Sequence, residues 1–493
     1  VKEEPQAKGQ AAKVIDGAIV VFLFVFAAAA PNSIAATQSA WLIGMALWLI
    51  RFAFRPRPKL YRTPVDYLLL GFFILTGLTA LLSYEPMVSI GKLRAASLFT
   101  IVYLFAENVP SLKVVRLLAI TLICGCMVSV LYTAGERILG RGVKVYNVSH
   151  TSPLYMNGVR DGDTLLAVDG RKLSEPQDLV NALSKVEKEP AAVVAYRHEW
   201  QGVFKVPRFS VLPGKTAIEQ LGIGSWSRGR DWRASGFYGN FVTYAEVLQL
   251  VIALTMGLFV SLPVKRSWVG ALLLVALAGF GMALLLTVTR ASWLSCLLST
   301  LVILLLGVRR RTIVLIGLIS IPFILVGLFV LQQKRNVAFI DRADQSTTWR
   351  ETVWREGAKL LISKPRHLLV GIGMDSIKKH WREWGMFENG RIPWGHMHSN
   401  LLQIALERGV PALILWLALL FIYGRTLWRT LRSSLKLEWI ERGILLGALG
   451  GLAGFFTSGL VHYNWGDSEV VMIFYMIMGL AFVIHRHVFQ STR

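Results

Sequence analysis

Cysteine is nearly absent and acid is scarce in this chain: three cysteines stand among 493 residues, and 30 aspartates and glutamates face 53 lysines and arginines. Cys124, Cys126 and Cys296 all fall within apolar runs, so no disulfide framework staples the polar segments together. Cys124 and Cys126 lie too close together and too deep in their run for a redox or zinc pair. The His198-Glu199 pair has no second histidine at ligand spacing, which excludes the H-E-x-x-H metalloprotease helix. Charge is thin as well: 17% of residues are charged, where a soluble domain carries about 25%. With 54% hydrophobic residues, that deficit excludes an ordinary soluble fold.

What the chain has instead is apolar length. Runs recur at 14–30, 40–54, 65–82, 114–134, 244–262, 269–288, 292–308, 313–331, 411–423 and 444–460, with weaker ones at 95–109 and 470–484. About 20 such residues cross a hydrocarbon core, so we expect about twelve transmembrane helices. The first run has no small-residue cleavage site in a suitable setting and is expected to be retained. Basic clusters orient the spans: Arg51, Arg55, Arg57, Lys59 and Arg62; Lys113 and Arg116; Lys265 and Arg266; Arg309 to Arg311; and Arg425, Arg429, Arg432, Lys436 and Arg442. With both termini inside, every cluster falls on the cytoplasmic face. The net charge of +23 is partly this signal, and it gives no reason to invoke nucleic acid. The same count throws 135–236 and 332–409 to the outer side. There topology demands no positive charge, and the Lys and Arg present suggest an anionic partner at the membrane boundary.

The first outer segment reads as a small α+β domain over 139–212. VKVYNVS alternates like a strand, and SEPQDLVNALSKVEKE reads as a helix with Ser174 as its N-cap. The stretch from Ala191 to Val211 closes as a hairpin turning near 200–202. Ser152-Pro153, Gly158-Val159, Arg160-Asp161-Gly162-Asp163, Leu165 and Val168-Asp169-Gly170, followed by a helix over 178–183, resemble a PDZ domain of the bacterial protease-associated type. The resemblance implies a sheet edge that accepts a peptide strand, with Leu139-Gly140-Arg141-Gly142 as the terminus-binding loop. A module that only spaces or docks is the alternative.

Four features project to the same outer side. Arg290 in TVTRASW begins a span after an apolar run, a costly depth for an arginine unless it is paired or functional, with snorkelling to the interface as the alternative. In TTWRETVWREGAKLL the residues Trp349, Val353, Trp354, Leu360 and Leu361 fall mainly on one helical side, as in an amphipathic helix at a membrane surface. Arg350 on that helix has the forked geometry that meets a phosphate. His396 and His398 share a face only in extended chain, ahead of the helix that follows. No carboxylate or cysteine stands at ligand spacing from them, so a proton acceptor fits better than zinc. Finally, His462, Asn464, Asp467 and Glu469 cluster between the last two spans.

In order and spacing, TRASWL, then R-x-x-x-W leading to a proline and GIG, then HSNLLQIALERGVPAL, then GDSE resemble the O-antigen ligase and polymerase superfamily of bacterial membrane glycosyltransferases. RASGFYGNFVTYAEVLQL fits the same pattern. The resemblance implies an all-α polytopic, GT-C-like fold in the bacterial inner membrane, with its active site facing the periplasm. It implies an undecaprenyl-pyrophosphate-linked glycan as donor and lipid A–core, or another glycan or protein, as acceptor. His398 corresponds to the family's loop histidine and Arg290 and Arg350 to its two arginines. His396, Arg233, Arg355, Asn400, Asp467 and Glu469 are the candidate substrate-binding residues, and no metal or cofactor is expected.

The division that follows is 1–138 for the first five spans, 139–212 for the PDZ-like domain and 213–331 for spans six to nine. A large outer loop at 332–409 and the last three spans at 410–493 complete it. The expected partners are donor, acceptor, membrane lipids and a peptide or protein ligand of the inserted module. A polymerase and a protein O-glycosyl ligase are close alternatives. A non-enzymatic scaffold or flippase is disfavoured, because the ionisable residues gather at span ends and no internal repeat is visible.

Overall fold

The computed structural model describes residues 9–187, 189–197, 200–309, 311, 345–433 and 437–490. Two compact units emerge, one of Val1–Met127, Val242–Leu284 and Thr289–Arg493, the other of Val128–Phe241 and Leu285–Val288.

The first unit is helical. In order it holds α1 (Gln10–Ala29), α2 (Ile34–Arg51), α3 (Asp66–Leu81), an interrupted segment Pro86–Asn108 ending in α4 (Thr100–Asn108), and the start of α5 (Leu112–Leu139). Ten helices of the described residues are long and apolar enough to cross a membrane, and the sixteen-residue Asp66–Leu81 is a shorter apolar helix. The chain is therefore a multi-pass membrane protein. The run expected at 313–331 lies outside the described residues. The weak run at 470–484 sits inside a helix of 23 residues, Ser468–Gln490. The weak run at 95–109 is the end of Pro86–Asn108, whose helix is interrupted by a 3₁₀ turn at Ser97–Phe99.

Apolar all-round composition does not itself choose which helices sit centrally; packing does. Phe241–Ser261 and Ser468–Gln490 are buried along most of their length, while Trp268–Leu286 turns most of its surface outward. Two of the charges that enter the helices are paired there: Arg51, 2% exposed, holds Asp16 at 2.7 Å, and Arg116 holds the buried Glu441 at 2.5 Å. An unpaired charge at such depth would cost several kcal/mol.

The second unit is built on an antiparallel sheet in the order β5-β4-β2-β1-β6, with β3 paired to β2. The strands are β1 (Arg141–Val148), β2 (Thr164–Val168), β3 (Arg171–Lys172), β4 (Ala191–Arg197), β5 (Trp200–Val206) and β6 (Ile223–Gly229). One helix, α6 (Pro176–Leu183), places Leu179, Val180 and Leu183 in a core with Val143, Leu165 and Val193. That α+β composition accords with a small inserted domain, yet three details depart from the sequence reading. The sheet continues past residue 212, because β6 pairs with β1 from Arg141↔Gly229 to Val148↔Ile223. The N-cap of α6 is Glu175 rather than Ser174: Pro176 takes the first helical turn, and Glu175 and Asp178 form a reciprocal capping box. The hairpin closes at Arg197↔Trp200, so residues 200–202 lie within β5, and His198-Glu199 lies outside the described residues.

The remaining helices are α7 (Phe241–Ser261), α8 (Trp268–Leu286), α9 (Arg290–Gly307), α10 (Gln345–Ile362), α11 (Asn400–Leu431), α12 (Trp439–Ser458) and α13 (Ser468–Gln490). The helix α10 corrects the surface-helix expectation. Val353 and Leu360 are buried in a core with Ile372, Met386, Phe387, Met397 and Leu406, and Trp349 and Leu361 pack against it. Its apolar face meets protein, because the chain after it folds back over that face.

Candidate functional site

The loop between α10 and α11 is shaped by two backbone devices. At Gly371, φ is +77°, and a Cβ there would meet the Glu407 carbonyl carbon at 2.5 Å. Only glycine lets this strand lie against the end of a helix, where Ile372 N donates to Leu406 O at 2.8 Å and Gly373 N to Glu407 O at 3.0 Å. Opposite it, Gly409 (φ +82°, ψ 164°) breaks α11 two residues before Pro411. Farther on, Phe387, Glu388 and Asn389 all take left-handed φ. The Glu356 carboxylate of α10 holds that turn by accepting from Phe387 N at 2.6 Å and Glu388 N at 3.1 Å.

These constraints deliver the histidine pair. His398 itself has φ +45°, a left-handed position that costs a non-glycine residue about 1 kcal/mol or more. The turn is held on both sides: Trp354 Nε1 donates to Met397 O at 2.7 Å, and Met397 N donates to Gln403 Oε1 at 2.6 Å. The ring of His398 lies edge-to-face with Trp349 at 4.9 Å and 4.1 Å from the ring of His396. His398 N donates to His396 Nδ1 at 3.2 Å, which leaves that nitrogen unprotonated.

Electrostatics keep both rings neutral. Burial, then His396, then the Arg350 guanidinium push His398 down to about 2. His396, though it keeps an exposed edge, is pushed down to about 4, first by the protein crowded round it and then by His462 and Lys378. Among the described residues no three His, Cys, Asp or Glu side chains converge as metal ligands would. A neutral imidazole of this kind can accept a proton, but its burial keeps it a weak base, and nearby positive charge weakens it further.

Beside the histidines a crevice of about 120 Å³ opens, lined among others by Lys92, Asp375, Glu407, Arg408, Tyr463 and Trp465. The Tyr463 ring lies 5.6 Å from that of His396. Glu407, almost wholly buried, accepts from Gln403 Nε2 at 2.8 Å and from Asp375 N at 3.1 Å, and meets Arg408 Nη1 at 3.3 Å. Paired charges among aromatic rings suit a polar, uncharged ligand such as a sugar.

Below this lies a buried network centred on Glu246 of α7, which is 1% exposed. His462 Nδ1 stands 2.8 Å from its Oε1, where Ser458 Oγ also donates and Ser292 Oγ donates at 3.3 Å. Asn464 Nδ2 donates to Oε2 at 3.2 Å. The network ties α7, α9 and α12 to the loop that carries Asp467. Burial first, and then Glu469, push Asp467 up to about 8, and Thr243 Oγ1 donates to its Oδ2 at 2.5 Å.

The nine candidate residues separate on this geometry. His396 and His398 are neighbours, and Arg350 is close enough to act on His398. Arg290 opens α9, two residues before the Ser292 that reaches Glu246. Asn400 is fully buried: Nδ2 donates to Asn464 Oδ1 at 2.6 Å, and Oδ1 accepts from Trp465 N at 3.1 Å. It braces the loop instead of offering a surface to substrate. Asp467 and Glu469 stand together at the start of α13. Arg355 is exposed, five residues on from Arg350 and so on another face of α10. Arg233 belongs to the second unit, where its guanidinium donates to Thr287 O and Val288 O at 2.8 Å and lies over the Phe241 ring. Glu246, Glu407, Arg408 and Tyr463 were not among the nine. A carboxylate inside the apolar run VTYAEVLQLV was the readable signal for the first.

Comparison with known proteins adds one finding. Residues 273–417 match a family model described as O-antigen ligase. The matched stretch takes in Arg290, Arg350, His396, His398 and Asn400 and covers less than a third of the chain. No curated protein matches the chain. The family match and the apolar helices together support ligase- or polymerase-type glycan transfer in a membrane.

Proposed function

We propose that the protein transfers a glycan from undecaprenyl pyrophosphate to an acceptor hydroxyl at the periplasmic face of the bacterial inner membrane, with lipid A–core as the acceptor. The observation that carries this reading is the neutral His398 imidazole, fixed on a left-handed turn within the field of Arg350. The acceptor oxygen attacks the anomeric carbon while its proton passes to the His398 ring. The bond from that carbon to the pyrophosphate oxygen breaks, and undecaprenyl pyrophosphate leaves with the electron pair. Inversion follows from one displacement. Arg290 and Arg350 offset the charge that develops on the leaving group. Donor binding also strengthens the base: a pyrophosphate against Arg350 offsets one of the smaller causes that depress His398, so its basicity rises part of the way once the donor is seated.

The test reconstitutes the chain in liposomes with a polyprenyl-pyrophosphate oligosaccharide and lipid A–core, and resolves products by mass. Wild type should form the lipid A–core conjugate and His398→Ala should lose it by at least about a hundredfold, the usual scale for a general base. Longer glycan still on polyprenyl pyrophosphate would make the protein a polymerase. Product formation unchanged in His398→Ala would overturn the mechanism. A protein acceptor is a second reading, favoured by a sheet whose end strands β5 and β6 each have one unpaired side among the described residues. Of the stretch 139–142 expected as a loop, Leu139 ends α5 and Arg141 and Gly142 belong to β1, which is paired on both sides, so we assign any strand addition to β6 or β5.

A further inference from the structure

The helix that begins behind His398 ends at a second, unrelated cavity. Thr430 Oγ1, near the far end of α11, lies 2.8 Å from His485 Nδ1. About thirty residues of α11, broken once at Gly409, separate this from the histidine pair. His485 lines a cavity of about 400 Å³ together with Tyr61, Arg62, Glu107, Phe482 and Arg486. A neighbouring cavity of about 370 Å³ shares Arg486 as a wall. Arg51, Arg55, Arg57 and Lys59 precede Arg62 on the same connection, so the positive-inside rule puts this end at the cytoplasmic leaflet.

Opposite charges face this space: Arg486 is near enough to act on the Glu107 carboxyl, yet no hydrogen bond joins them. Glu107 Oε2 accepts from Tyr61 N at 3.1 Å, but its Oε1 is buried with no hydrogen-bond partner. Arg486 lies over the Tyr61 ring at 4.2 Å. Among the described residues neither Arg62 nor Arg486 has an acidic partner within ion-pair distance. Leaving a buried carboxylate oxygen unsatisfied is costly, and it calls for an N–H or O–H donor. Arg62, exposed at the rim, and Arg486, not ion-paired among the described residues, can together take an anion, and phosphate suits their fork. A purely anionic headgroup would meet Glu107 as a like charge. A choline headgroup has no N–H to give to Oε1. Tyr61 and Phe489, which line the cavity, are exposed, and so is Leu60 next to Tyr61 in the chain, as apolar and aromatic residues are where they meet acyl chains and headgroups.

We infer that this cavity holds the phosphoethanolamine headgroup of a bilayer lipid, with its phosphate on Arg62 and Arg486 and its ammonium on Glu107. The acyl chains leave past Leu60 and Phe489. The site is independent of the glycan-transfer reading, because it uses none of that site's residues and its readout is lipid binding.

The experiment is native mass spectrometry of the full chain, released from mixed micelles containing equal phosphatidylethanolamine, phosphatidylglycerol and phosphatidylcholine. Wild type should retain phosphatidylethanolamine preferentially. Arg486→Gln and Arg62→Gln should each weaken retention roughly tenfold, the loss of one charge-assisted contact. Glu107→Gln should abolish the preference over phosphatidylglycerol while leaving a lipid bound. Arg62 is exposed, so its variant tests the idea even if a change at Arg486 disturbs folding. Equal retention of all three lipids by wild type would overturn the proposal, as would variants that bind like wild type. Soluble phosphoethanolamine that displaces the lipid at equal concentration would overturn the lipid as occupant.

Discussion

At the scale of the residue, the decisive quantity is the proton affinity of His398. Burial is the largest cause of its depression, and His396 and Arg350 add to it. Replacing Arg350 by Gln should therefore raise the His398 pKa part of the way toward 6.5, and NMR titration of the ring would read it. No rise would remove Arg350 from the site. The same logic gives the activity profile. With His398 held to about 2 and His396 to about 4, kcat/KM should show no histidine limb between about pH 5 and 8. A bound donor offsets Arg350, so any acid limb should appear in kcat at higher pH than in kcat/KM. For stability the sign is the depressed-pKa case. Both rings contribute fully above the unfolded value of 6.5, and that contribution is lost as pH falls through 4 toward 2. Amide exchange of residues 396–399 should therefore quicken from pH 6.5 to 4, after correction for intrinsic rates, before the helices respond.

At the scale of the element, the site depends on turns no helix would supply. Glu356→Gln weakens two charge-assisted bonds to the left-handed turn at Phe387 and Glu388, and should destabilise the loop by about 2 kcal/mol. Gly371→Ala forces a Cβ onto the Glu407 backbone at positive φ, and should cost more than about 2 kcal/mol. Thermal melts in detergent would rank these two against an exposed control such as Arg355→Gln. In α10, periodicity identified the apolar face correctly and its partner wrongly. Val353 and Leu360 sit against Met397 and Leu406, residues some forty positions later in the chain. A helical wheel reports that a face is apolar, and has no means of reporting what will cover it.

At the scale of the whole molecule, two units of different character follow from two different patterns in one chain. The second unit's core includes Leu221 and Ile223, which arrive with β6 and the short helix before it. A fragment of residues 141–229 should fold cooperatively, and one cut at 212 should lose roughly 1.5–3 kcal/mol for each of those two side chains. Circular dichroism melts of the two fragments would decide it, and equal stability would mean that β6 is an accessory.

The membrane class, the sites of most spans, the histidine pair ahead of its helix and the inserted α+β domain were legible without coordinates. Each rests on a pattern local in the chain: run length, basic flanks, spacing of two, alternation. The candidates that changed meaning did so through contacts distant in the chain. Asn400 reads as a polar residue beside the histidines, and only its bonds to Asn464 and Trp465 show it bracing a loop. Glu246 becomes the centre of a network because Ser292, and Ser458, His462 and Asn464, converge on it from two other places in the chain. Local pattern determined where the chain enters the bilayer, because each apolar residue meets lipid on its own account. Which charge sits beside which, and so how strongly His398 holds a proton, was decided only when helices far apart in sequence packed together.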